Sequence, residues 1–90
     1  MSVFIRFPPL FADRIDGVTR VEVPATTVKD ALQALDVRFP ALRTLLFRAN
    51  GQLNPVIVIF LNDERLPNNQ LHCSIQAGDE IQIVPAIEGG

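Results

Sequence analysis

Between Pro24 and Pro40 the apolar residues recur at the period of a helix, while on both sides of that segment they recur at the period of a strand. This double change of period, within 90 residues, leaves few folds open. Val28, Ala31, Leu32, Leu35 and Phe39 fall three and four apart and form one helical stripe. Thr27 precedes the stripe and Asp30 stands three positions on, residue types that satisfy exposed amides at a helix start. Pro40 breaks the run. Before the stripe, Val3, Ile5 and Phe7 alternate as a strand until Pro8-Pro9 removes two amide donors, and Val21 and Val23 alternate with Arg20 and Glu22 until Pro24. Residues 10–17 between these strands read as a loop, with Asp16-Gly17 as its turn.

After the stripe, Leu42, Leu45 and Leu46 suggest a short second helical segment that ends at Asn50-Gly51. Val56 to Leu61 is apolar at every position and rich in β-branched side chains, the strongest strand signal in the chain. Asn62-Asp63-Glu64 turns into a short strand near Arg65-Leu66, residues 67–78 are irregular, and Glu80 to Val84 alternates until Pro85. The expected fold is therefore α+β in two layers: a mixed sheet of four to five strands packed on one main helix. The helix should rest on Ile57, Ile59, Leu61, Ile81 and Ile83. A single domain over residues 1–90 is expected, with a flexible C-terminal tail at 86–90.

A chain this short buries only about 60–65% of its extended surface, so most of its apolar residues must share one core. Seven scattered arginines and one lysine, against ten acidic residues, offer no basic cluster to track a phosphate backbone, which argues against nucleic acid. The longest apolar run, Val56 to Leu61, is far short of the ~20 residues of a membrane span. Met1 to Arg6 lacks the charged region and cleavage site of a secretory signal, so a cytoplasmic location is expected.

No catalytic or metal-binding constellation is legible. Cys73 is the sole cysteine, and its neighbour His72 would leave a strand on the opposite side, so a small buried thiol and a surface imidazole outweigh a nucleophile pair. Asp63-Glu64 and Asp79-Glu80 sit at turns, where solvation explains them and a metal would want more oxygen ligands. The alternation offers something else. With Ile57, Ile59 and Leu61 turned to the helix, Val56, Val58 and Phe60 turn away from it, flanked by Phe4 and Val84, with Arg6 and Gln82 at the margin. Phe4, Val58, Phe60 and Val84 are thus the expected partner surface, because contiguous apolar surface in a two-layer fold marks a docking site.

The chain closes with Pro85-Ala86-Ile87-Glu88-Gly89-Gly90. Five residues beyond Pro85 extend at most about 17 Å, and the glycines, without a Cβ, fit a narrow channel. Gly78 to Gly90, a Gly-Asp, an apolar strand, a proline and Gly-Gly, resembles the C-terminal signature of the ubiquitin-like β-grasp sulfur carriers. These are the MoaD/ThiS/CysO family: molybdopterin synthase small subunits, thiamin-pathway carriers and cysteine-pathway carriers. Val58 to Glu64 is also similar to the family's third strand and turn.

The resemblance implies a protein co-substrate in place of an enzyme. An E1-like adenylating enzyme would use ATP to activate the Gly90 carboxylate, with Ile87, Glu88 and Gly89 inserted into its channel. A sulfur donor protein would convert the adenylate to a thiocarboxylate for an acceptor biosynthetic enzyme, and the carrier itself would bind no cofactor. Where a precursor runs past Gly90, a trimming protease joins these partners. Glu88 departs from the small or hydroxyl residue common there, so its carboxylate calls for a basic group in the activating enzyme. The length of Leu42 to Pro55 looks more like carriers for cysteine or sulfur-containing metabolites than like compact thiamin-pathway carriers. A ubiquitin-like modifier or binding module, and a molybdopterin synthase small subunit, are the alternatives.

Overall fold

The computed structural model describes residues 2–86. Strands β1 (Ser2–Arg6), β2 (Arg20–Pro24), β3 (Ile57–Leu61), β4 (Glu64–Leu66) and β5 (Glu80–Pro85) form one five-stranded sheet in the order β2-β1-β5-β3-β4. The central pair, β1 and β5, is parallel, and the other pairs are antiparallel. The main helix, α2 (Val28–Arg38), covers one face of this mixed sheet. Two shorter helices accompany it, α1 (Pro9–Ala12) and α3 (Arg43–Leu46), the latter entered through a 3-10 turn at Pro40–Leu42.

Sequence explains the layering directly. Val28, Ala31, Leu32 and Leu35 of α2 are buried, as are Val3, Ile5, Val21, Val23, Ile57, Ile59, Ile81 and Ile83 of the sheet. Alternation on each strand thus sends one set of side chains under the helix and the other set to the open side. Phe39, at the end of α2, meets Phe7 edge to face at 6.1 Å and ties the helix to the end of β1. Leu61 and Leu66 pack half-buried against the same core.

Three local features differ from the sequence reading. Residues 9–12 are a short helix inside the expected loop, because Pro9 sits at a first helical position, where its missing N–H costs nothing. That turn drives Phe11 and Ile15 into the core before Asp16 and Gly17 reverse the chain at positive φ. At α2, Thr27 Oγ1 accepts the Asp30 N–H at 3.0 Å, but the Asp30 carboxylate accepts from the Thr26 hydroxyl at 2.8 Å and does not reach back to Thr27. Pro85 ends β5 as its last member, opposite Ile57, because a final strand position tolerates a residue without an N–H.

Candidate docking face and the exit of the chain

The sheet face opposite α2 carries every expected partner-surface residue, but it does not gather them into one patch. Val84 lies opposite Val58, and Gln82 opposite Phe60. Val56, which is 48% exposed, forms with Val58, Phe60 and Val84 an apolar strip along β3 and β5. Val58, Phe60 and Val84 are half-buried by their neighbours. Phe4 stands apart. The parallel register sets it beside Glu80 on β5, opposite Glu22 on β2, and the Arg20 guanidinium lies 3.9 Å over its ring. Gln82, expected at the margin, lies between Arg6 and Phe60, well inside the face. The face therefore divides into an apolar strip and a polar corner.

Glu80 organises that corner, with one carboxylate oxygen 3.6 Å from Arg6 and the other 3.3 Å from Arg20. Both arginines are about half exposed, so these pairs contribute little to stability, and their use is to hold the guanidiniums in place. Nothing local in the sequence signals this cluster, because the parallel pairing joins residues at opposite ends of the chain.

The end of β5 lies alongside the apolar strip. Ala86, counted with the tail in the sequence reading, donates its N–H to the Val56 carbonyl and prolongs the ladder past Pro85. The chain thus leaves the sheet at a fixed point, beside Val56 and two residues past Val84. Ile87, Glu88, Gly89 and Gly90 lie outside the described residues. From Ala86, four further residues reach at most about 14 Å.

A clasp at the other end of β5 fixes its entry. Gln76 donates its backbone N–H to Asp79 at 2.7 Å, and the Asn62 amide donates to the other carboxylate oxygen at 3.0 Å. These bonds, the Gln76 amide first, hold the Asp79 carboxyl below the usual aspartate range. Asn62 and Asp63 turn β3 into β4 with both φ angles positive, the geometry of a tight two-residue hairpin. Asn62 also accepts the Glu80 N–H at 2.9 Å. Gly78-Asp79 and Asn62-Asp63 are therefore partly explained as one structural unit. Asp79→Ala should lower stability by about 0.5–1 kcal/mol near neutral pH, since water replaces much of what is lost. Because the folded-state pKa is depressed, this stabilisation is present above the ordinary aspartate value of about 3.9 and is lost as pH falls through the folded value. Melting curves of the two proteins should accordingly converge in acid; a constant gap would show that the charged carboxylate is not what matters.

His72 is exposed and lines a cleft of about 520 Å³ on the helix side, with Lys29, Leu32, Phe47, Leu53 and Leu71. Cys73 is a free, half-buried thiol. Among the described residues no group of three His, Cys, Asp or Glu side chains is placed to hold a metal ion, and no helix is long and apolar enough to cross a membrane.

The chain matches the ThiS family over residues 10–90. It is 35% identical over 86 residues to small archaeal modifier protein 1 of Haloferax volcanii, covering 90% of this chain and 95% of the relative. The crystal structure of that protein superposes with a TM-score of 0.87 at 31% identity over the whole of both chains. A structure of the Amycolatopsis orientalis BexX/CysO complex contains a chain similar at TM-score 0.84 and 25% identity, covering 98% of this chain and 99% of that one. Family match, identity and sheet topology agree: this chain belongs to the ThiS family of ubiquitin-like β-grasp sulfur carriers and modifiers.

Proposed function

We propose that this chain is a protein-borne sulfur carrier whose reactive group is the carboxylate of Gly90. The observation that carries the reading is family membership across residues 10–90, a span that includes the terminal Gly89-Gly90. A carboxylate is anionic at neutral pH, with a reference pKa near 3.5, and is a poor acyl donor. Attack of its oxygen on the α-phosphorus of ATP, held by an E1-like enzyme, expels pyrophosphate and leaves an acyl adenylate. Attack by the outer sulfur of a donor protein's persulfide then displaces AMP and leaves an acyl disulfide. A second thiol cleaves its S–S bond, forming a disulfide with the donor's sulfur, and releases the thiocarboxylate, which passes its sulfur to a biosynthetic enzyme. The carrier supplies the acyl group and a docking surface; ATP and catalytic groups belong to its partners.

The open sheet face suits that docking role because the chain leaves β5 at Ala86 beside the strip of Val56, Val58, Phe60 and Val84. An enzyme seated on the strip would receive residues 87–90 over a reach of at most about 14 Å. The length of Leu42 to Pro55, together with likeness to a chain of the BexX/CysO complex, favours the cysteine or sulfur-containing metabolite branch. Identity to small archaeal modifier protein 1 favours a second reading, in which the activated carboxyl is joined to lysines of other proteins.

Intact-protein mass spectrometry after co-expression with the E1-like enzyme and its sulfur source separates the two. The carrier reading expects a gain of about 16 Da, oxygen exchanged for sulfur at the carboxyl group. Lysine conjugates without that gain would establish the modifier reading in its place.

A further inference from the structure

The strand registers align five residues in one rung across the whole open face. Arg20 on β2 lies opposite Arg6 on β1, Arg6 beside Gln82 on β5, Gln82 opposite Phe60 on β3, and Phe60 opposite Arg65 on β4. Residues of one rung leave a sheet on the same side, so these side chains share the face that α2 leaves uncovered. Arg6, Arg20 and Arg65 are all exposed. Strands stand about 4.8 Å apart, which sets the backbones of Arg6 and Arg65 about 14 Å apart with Gln82 and Phe60 between them. The neighbouring rung on one side is Val58 and Val84, and on the other it is Glu22, Phe4 and Glu80.

An apolar centre is thus bounded by guanidiniums on both flanks. Glu80 shares its carboxylate between Arg6 and Arg20, and so does not cancel the pair. Among the described residues Arg65 makes no ion pair. The face holds three arginines against Glu22 and Glu80, although the chain as a whole carries a formal charge of −2. The face thus nets one positive charge, and along the rung itself the three guanidiniums stand with no carboxylate among them.

We propose that this face is read by a protein whose own apolar docking surface is bordered by carboxylates on two sides, one border meeting Arg65 and the other the Arg6–Arg20 pair. The proposal rests on the docking role given to the face above and adds the chemistry of the partner. Charge complementarity favours an acidic-bordered protein over a nucleic acid: Phe60 has valines beside it, the Phe4 ring is already covered by Arg20, and two glutamates share the surface. Border charges act mainly on encounter, so they should govern association rate and its salt dependence, whereas the apolar centre governs dissociation.

Stopped-flow association with the E1-like adenylating enzyme of the same organism, run on full-length Arg65→Glu, Arg6→Glu, Arg65→Gln and Phe60→Asp variants, tests this. Each charge reversal should slow association about tenfold at about 50 mM salt and by less than about twofold at about 500 mM, where screening is strong. Arg65→Gln should fall between wild type and Arg65→Glu, and Phe60→Asp should fail at both salt concentrations. Circular dichroism confirms that each variant is folded; a variant that is not is replaced by its glutamine counterpart. If the reversals associate at the wild-type rate in low salt while Phe60→Asp fails, the face docks the enzyme but the acidic borders are wrong. If Phe60→Asp also binds normally, the docking face itself is wrong and this inference falls with it. Arginine-dependent binding to poly(U), with none of that dependence for the enzyme, would overturn the proposal in favour of nucleic acid.

Discussion

Leu32→Ala should lower the melting temperature by about 10–30 °C. Leu32 is 1% exposed and lies between Val28 and Leu35 on the buried stripe of the helix. Truncation removes apolar contacts and leaves a cavity that a close-packed interior fills only in part, at a cost of about 2–5 kcal/mol. Small domains have total stabilities of about 5–15 kcal/mol, so the loss is a large share. Gln33→Ala, one position along on the exposed side, is the control and should change stability by no more than about 0.5 kcal/mol. Thermal melts of both variants beside wild type suffice. A shift of under about 2 °C for Leu32→Ala would mean that α2 does not close the core as described.

The same stripe shows why much of the fold was legible. An eleven-residue helix repeats its period three times, and β1, β2 and β5 alternate, so their faces follow from local pattern; β3 is apolar throughout, and its faces follow from the strand period of two once Ile57, Ile59 and Leu61 are set toward the helix. Val58, Phe60 and Val84 were assigned to the open face in this way, and that is where they lie. The short α1 was not legible, because four residues cannot display a helical period and the prolines that read as a strand terminator also start the helix. Lateral order on the sheet was harder still. Pairing of β1 with β5 joins residues some 76 positions apart, as Phe4 with Glu80, and no local pattern carries such a register. The strand pattern therefore groups Phe4 with the apolar strip, whereas its neighbours are Glu22 and Glu80 and its ring is covered by Arg20. The family signature held Gly78-Asp79 without its reason, which is the Asn62–Asp79–Gln76 clasp at the start of β5.

Deleting Gly90 should abolish activation by the E1-like enzyme and leave the melting temperature almost unchanged. Every buried apolar residue among those described lies between Val3 and Ile83, and the ladder is already closed at Ala86 through its bond to Val56. Loss of a residue beyond that point should cost little folding free energy. Reactivity should respond differently, because the new carboxyl group on Gly89 stands about 3.5 Å short of the position the old one reached. Near an α-phosphorus awaiting in-line attack, even a 1 Å misplacement costs on the order of a hundredfold in rate. Nothing up to Ala86 can advance to recover the distance: β5 is anchored on both sides, and Ala86 is held at the edge of the apolar strip. Gly89→Val should act in the same direction with the full length retained, since a β-branched side chain restricts the backbone and fills a channel suited to glycine. Pyrophosphate release, driven by the carrier and the E1-like enzyme with ATP, reads the step directly. Rates at least about a hundredfold below wild type for both variants, with unchanged melts, are the expected result. A truncated chain that still drives pyrophosphate release at a near-native rate would show that the Gly90 carboxylate is not the group activated, and the sulfur-carrier reading would fall with it.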